Sequence, residues 1–305
     1  MTHKGLQDDN RNGKEGNAVY DNSPGEWARV EKDEAQALRK RSWLMMDTLD
    51  AWRHAEMLRP LIGISQKESS WLTIGDGRYG SDARLLKTYY KDVCASDYWV
   101  ELLSRVQEYG IDLRWKRINA EMIEEADKSY DYVLAKECLH HLPRPYMAIY
   151  EMLRVSRKGV AIIEPCDSVQ YWKEIVKFIL GRVSSLDGYW FEPVGNFGYS
   201  FTIRDFEKIQ LGLGRQYIAS RHIGDFYHQA FEEMQCIGRT RAERLTSLVV
   251  RTYIKIINLL TQLKLMKPRL VMTLLLKEVP TSEEICELRR NGWKVKRLPI
   301  NPYNR

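Results

Sequence analysis

Gly75-Asp76-Gly77-Arg78-Tyr79-Gly80 stands directly after an apolar run, Trp71 to Ile74, and before a stretch with helical spacing. A G-x-G-x-x-G turn between a strand and a helix lets the backbone approach a ligand that side chains would exclude. Asp97 lies just past the next apolar run, where a carboxylate can accept hydrogen bonds from both hydroxyls of a ribose. Each feature alone has a plain alternative, a tight turn or a solvated acid, but the pair points to a nucleoside-bearing ligand. Farther along, Ile118-Asn119-Ala120-Glu121 follows a third apolar run. Lys136-Glu137-Cys138-Leu139-His140-His141-Leu142-Pro143 follows a fourth, and Glu164-Pro165 a fifth. Histidine is the side chain best suited to taking a proton near neutral pH, so His140, four residues after Lys136, is the candidate base. Glu164-Pro165 reads as a wall of the acceptor side or, with slightly more weight, as a strand terminator.

These residues need elements to hold them. The spacing predicts strands at Trp71–Ile74, Lys91–Ala95, Leu113–Ile118, Tyr130–Ala135 and Gly159–Ile163, with helices over Ser81–Tyr90, Trp99–Tyr109 and Arg144–Val155 between them. Such alternation means βαβ units and a mainly parallel, doubly wound α/β sheet with helices on both faces. In that architecture ligands bind beyond the carboxyl ends of the strands, where the motifs above fall. A helical entry segment spans Glu26 to about Leu61, preceded by a polar, loosely ordered tail over residues 1–25. Beyond Pro165 an aromatic-rich stretch contains Tyr171, Trp172, Tyr189, Trp190, Phe191, Phe197 and Tyr199. A sixth strand is predicted at Gln216–Ile223, a helix over Thr240–Leu265, a strand at Leu270–Leu276, and then a capped helix and a short strand.

The chain has 305 residues, of which 44% are hydrophobic and 29% charged, a globular composition. Five cysteines without a C-x-x-C pair suggest neither a disulfide framework nor a zinc site, and no His/Asp/Glu cluster has metal-ligand spacing. With no secretory leader or long apolar window in the sequence, the expected location is the cytoplasm. The net charge of +6 is uneven. From Ile237 to Arg305 there are 15 basic and 5 acidic residues, whereas residues 1–236 carry 32 and 36. A basic C-terminal quarter favours an anionic partner.

From Trp71 to Pro165 the chain resembles the class I S-adenosylmethionine-dependent methyltransferases. It resembles especially the small-molecule, type 11-like subgroup, in which a Tyr-Asp-Tyr-Val-Leu strand precedes Leu-His-His-Leu. The resemblance implies a Rossmann-like, seven-stranded sheet, S-adenosylmethionine as cofactor and S-adenosylhomocysteine as product. It places Gly75, Asp76, Gly77 and Gly80 around the methionine part of the cofactor, and Asp97 at the ribose. Asn119 and Ala120 would meet the adenine edge, and the Lys136 carbonyl the methionine amino group. Thr73 and Asn119 depart from the acidic residues many members carry at these positions, although Asn still offers an acceptor to an adenine amino group. The segment K-E-C-L-H-H resembles the K-x-x-x-H segment of plant O-methyltransferases, whose histidine is the general base; His140 aligns with it and His141 does not. The four-residue spacing would put Lys136 and His140 on one face of a helix starting at the strand end. Leu-His-His-Leu also occurs in the family where the histidine only packs, so both roles stand.

The expected organisation is a tail (1–25), a helical cap (26–65) and a methyltransferase domain (66–305) with a lid insertion at about 166–215 and a helical insertion at about 225–268. The expected function is O-methylation of a small or medium-sized acceptor such as a sugar, glycan precursor or secondary metabolite, with a phosphate-bearing acceptor suggested by the basic C-terminal quarter. An RNA methyltransferase and a non-catalytic cofactor-binding homologue are the alternatives, nucleic acid having only the charge in its favour. Segment 241–264 is a basic amphipathic helix, expected to pack on its own domain or a second copy, with peripheral membrane contact as the other reading.

Overall fold

In a computed structural model, which describes residues 41–167, 197–300 and 302–303, the apolar runs form one eight-stranded sheet of order β3-β2-β1-β4-β5-β7-β6-β8. The strands are β1 (Ser70–Ile74), β2 (Asp92–Asp97), β3 (Arg114–Arg117), β4 (Tyr130–Lys136), β5 (Ser156–Pro165), β6 (Tyr217–Ile223), β7 (Leu270–Leu276) and β8 (Lys294–Arg297). β1 to β5 pair in parallel, β7 lies antiparallel between β5 and β6, and β8 pairs antiparallel with β6. The doubly wound, mainly parallel expectation holds, with eight strands rather than seven. The extra edge strand follows Trp293, whose buried indole Nε1 donates to the Pro60 carbonyl at 2.8 Å and ties the sheet edge to the N-terminal helices.

The helices are α1 (Arg41–Met45), α2 (Leu49–Leu58), α3 (Ser81–Lys87), α4 (Pro145–Val155), α5 (Ile203–Gly212), α6 (Arg241–Gln262) and α7 (Ser282–Arg290). Because successive strand residues point to opposite faces, the sheet feeds two cores. Trp71, Leu134, Ala161 and Met272 pack with Met57, Leu58, Ala83 and Leu86 of α2 and α3. Their neighbours Leu72, Val133, Ile162 and Val271 pack with Ala148, Ile149 and Met152 of α4 and Phe206 of α5. Covering both faces explains why β7 is a continuous apolar run, buried at every position.

Several local expectations are corrected. The entry segment is not one helix where it is described: Met46 has φ of 55°, and Thr48 starts α2 by accepting from the Ala51 N–H at 3.2 Å. The stretch around Trp99–Tyr109 is a 3₁₀ segment, Leu103–Tyr109, closed by Gly110 at φ of 70°. Within the expected lid lies α5, opened by a Thr202–Asp205 capping box. Residues 1–40 and the ring-bearing positions Tyr171, Trp172, Tyr189, Trp190 and Phe191 lie outside the described residues. Phe197 and Tyr199 are described, and the Tyr199 N–H donates to the His140 carbonyl at 3.2 Å.

Candidate active site

A cavity of about 640 Å³ opens beyond the carboxyl ends of β1, β2 and β4, within the size range of small-molecule and cofactor sites. Gly75, Asp76, Gly77, Asp97, Asn119, Ala120, Lys136 and His140 all line it. Gly80 does not. It is buried at φ of 63°, where a Cβ would collide with the Leu113 side chain, so this glycine serves helix–sheet packing.

The glycine turn is shaped by its neighbours. Gly75 has φ of 72° and lies so close to Cys138 that a Cβ would overlap its sulfur. At Gly77 a Cβ would come within 2.8 Å of Asp97 Oδ2, so the absent side chain leaves this carboxylate facing the cavity. Asp76 is turned the other way. Its carboxylate accepts from the Asp82 and Ala83 N–H groups at 3.1 and 2.8 Å, capping the start of α3, and from the Thr73 hydroxyl at 2.9 Å. Thr73 is therefore a hydroxyl donor matched to an acceptor oxygen of Asp76. Burial and the neighbouring Asp82 charge push the Asp76 carboxyl up to about 8.

Asp97 is half-buried, with Oδ1 accepting from the Trp99 N–H at 2.8 Å, and burial raises its carboxyl to about 6 against that hydrogen bond. Charge-assisted contact with ribose hydroxyls requires the ionised form. Asp97→Ala is expected to weaken S-adenosylmethionine binding by about 1.5–3 kcal/mol. In the native protein affinity should be level above about pH 6 and fall by up to roughly tenfold per unit below it, because protonation then competes with the ligand. Calorimetric titration across pH checks both, and an Asp97→Asn profile as steep as the native one would count against the assignment.

Asn119 Oδ1 accepts from the Glu121 N–H at 3.0 Å, which holds the amide at the cavity wall. Lys136 does more than end β4. Its buried Nζ is 2.7 Å from His54 Nδ1 and 3.3 Å from Asp82 Oδ1. Burial works against the ammonium, but Asp82, Glu137 and Asp76 raise its pKa. The expected shared helix face for Lys136 and His140 is absent. Glu137 has φ of 47°, Cys138 is non-helical, and His140 sits on a 3₁₀ turn, Leu139–His141.

That turn fixes the histidine. His140 Nδ1 is 2.6 Å from Glu164 Oε2, and Glu164 Oε1 accepts from the Cys138 and Leu139 N–H groups at 2.9 and 2.7 Å. Glu164, completely buried at the end of β5, both anchors the turn and holds His140. A carboxylate facing Nδ1 selects the tautomer with the proton there and the basic lone pair on Nε2.

The opposite wall was missed in the sequence. On α2, Arg53 donates through Nε and Nη2 to Asp50 Oδ1 at 3.1 and 2.9 Å, and through Nη1 to Asp225 Oδ2 at 2.6 Å. Burial alone would raise the Asp50 carboxyl, yet His54 and Arg53 hold it well below the usual carboxylate range. Tyr227, Glu232 and Arg269 complete this side, and Arg78 stacks on Trp43 of α1 at 4.0 Å over the glycine turn. The available signal was D-x-x-R-H with Met57 four residues after Arg53, which places charges on a buried helix stripe. Among the described residues, no group of three or more His, Cys, Asp or Glu is placed to hold a metal ion.

Residues 72–163 match the family model described as a methyltransferase domain. No curated protein matches the chain. Among solved structures, the chain is similar to one in the complex between the Haloferax volcanii Trm112 methyltransferase activator and a methyltransferase (15% identity, TM-score 0.49, 82% of this chain and 98% of that one). It is also similar to an S-adenosylmethionine-dependent methyltransferase from Mesorhizobium loti (14% identity, TM-score 0.47, 74% and 99%). A third is an S-adenosylmethionine-dependent methyltransferase from Archaeoglobus fulgidus (15% identity, TM-score 0.45, 73% and 92%). With β2, β4 and all but the first two residues of β1 inside the matched stretch and the cavity at their ends, the chain carries an S-adenosylmethionine-dependent methyltransferase domain.

Proposed function

We infer that this methyltransferase acts on an oxygen of a small or medium-sized acceptor, such as a sugar, glycan precursor or other secondary metabolite. The His140–Glu164 pair carries this reading: an alcohol is a poorly acidic nucleophile that needs a base, and His140 is a base held in a defined tautomer on the cavity wall. The cradle suits the cofactor, since the side-chain-free positions at Gly75 and Gly77 leave room for close backbone approach and Asp97 offers a ribose acceptor. Asn119 and Ala120 would meet the adenine, and the Lys136 carbonyl the methionine amino group.

When bound, S-adenosylmethionine supplies a sulfonium-activated methyl group. The chain's own residues do the rest. Glu164 would keep the Nδ1 proton in place, and His140 Nε2 would take the acceptor hydroxyl proton as the oxygen's lone pair bonds the methyl carbon and the methyl–sulfur pair stays with the S-adenosylhomocysteine product. The α2 wall and Tyr227 limit water access, and much of the rate comes from holding acceptor and donor at contact distance. Arg269 gives the acceptor side a cation suited to a phosphate-bearing substrate.

The test uses ¹³C-methyl-labelled S-adenosylmethionine with an acceptor panel that starts with nucleotide sugars and includes RNA. The chemical shift of the transferred methyl distinguishes oxygen from nitrogen, sulfur or carbon. Transfer to oxygen, lost in His140→Ala, is the expected result. Transfer to RNA, with binding that weakens steeply in salt, would overturn the small-acceptor reading. Loss of donor and product binding in the purified protein would favour the non-catalytic alternative, and tight binding would count against it.

A further inference from the structure

α6 turns its apolar side outward. Leu245, Leu248, Val249, Ile256, Leu259 and Leu263 are each at least half exposed, whereas the side facing the body buries Ser247, Ile254, Ile257 and Thr261. Steps of three and four residues align the exposed side chains in one stripe about 27 Å long at 1.5 Å per residue. Leu265 and Met266 extend it. A contiguous apolar surface of this kind marks an interaction site.

The charges around the stripe define what it meets. Between Arg239 and Arg269 there are eight Lys or Arg residues and one acid, Glu243. Glu243 is engaged in the capping box with Thr240 at the start of α6. Arg251 and Lys255 run along one flank, over the Trp52 ring at 5.3 and 5.9 Å. A second copy meeting this face about a two-fold axis would bring the same cations against themselves, and a nucleic acid would leave the leucines in water. A surface with anionic heads above an apolar interior satisfies both halves. No helix among the described residues is long and apolar enough to cross a membrane, so α6 suits lying in the interface.

We propose that α6 docks the enzyme on an anionic lipid bilayer, with its leucine stripe among the acyl chains and its cations at the headgroups. The helix is rigidly joined to the cavity. Asp225, Tyr227 and Glu232 precede it, Arg269 follows it, and Gly224 packs so closely that a Cβ there would come within 2.6 Å of the Ile257 carbonyl. Docking therefore brings the Tyr227 and Arg269 side of the cavity toward the membrane.

The experiment is flotation of the full chain with vesicles of phosphatidylcholine alone or mixed with phosphatidylglycerol. The protein is expected to float with the anionic vesicles, less so at high salt, and not with the zwitterionic ones. Leu245→Glu/Ile256→Glu should lower the bound-to-free ratio about tenfold or more, and Lys264→Glu/Lys267→Glu should lower it for anionic vesicles. Both pairs are exposed and outside the cavity, so unchanged melting and S-adenosylmethionine binding would show that the fold is retained. Flotation unchanged in Leu245→Glu/Ile256→Glu would overturn the proposal. So would absence of flotation, or a dimer by light scattering that this variant dissociates without vesicle binding.

Discussion

His140→Ala is expected to lower turnover by about 10²- to 10⁴-fold while leaving S-adenosylmethionine affinity nearly unchanged, because general-base catalysis acts on the acceptor hydroxyl and not on the donor. Glu164→Gln separates base from packing. The glutamine has one oxygen where the glutamate uses two, against the Cys138 and Leu139 N–H groups on one side and His140 on the other. If the amide nitrogen faces His140, the imidazole must accept at Nδ1, and the proton moves to the nitrogen that should be basic. Turnover should then fall on the order of 10²-fold with little change in melting temperature. Steady-state kinetics and a pH profile of kcat read both variants. Full activity of His140→Ala reduces the residue to packing.

Arg53→Met is the variant expected to cost most stability. It takes the guanidinium away from the buried Asp50 and Asp225 carboxylates, with His54 still beside Asp50, and such half-broken buried pairs typically cost about 3–5 kcal/mol. Thermal melting should show the loss. The pH dependence supplies a second readout. Asp50 is held below its unfolded value, so its contribution is present above the ordinary carboxylate range and is lost as pH falls through it. The Arg53→Met protein should therefore lose less of its stability on acidification than the native one. Melting within about 0.5 kcal/mol of native would place Arg53 among solvated surface charges.

The strands were legible because burial on both faces writes them as unbroken apolar runs; β7 was predicted to the residue, Leu270–Leu276. That the glycine turn and Asp97 would meet at one cavity was legible for a similar reason, since both stand directly at the ends of predicted strands. Gly80 was misassigned because a glycine needed for packing on Leu113 has the same appearance in sequence as one needed by a ligand. The Lys136–His140 helix failed because Glu137 adopts a positive φ that its residue type does not announce. α5 was hidden among aromatics, although Thr202 and Asp205 form a capping signal. The α2 wall was invisible for a physical reason: Arg53 and Asp225 are 172 residues apart, and no local pattern records a pairing made by the fold.

That wall divides the enzyme's inheritance. The stretch shared with the methyltransferase family, residues 72–163, contributes the glycine turn, Asp97, Asn119, Lys136 and His140. Asp50, Arg53, His54, Asp225, Tyr227, Glu232 and Arg269 stand outside it yet face the same cavity. The cavity's two sides are thus built from separate parts of the chain, one from the matched stretch and the other from a short helix and two loops. A change of residue on that second side can therefore reshape the cavity without altering any position from Leu72 to Ile163.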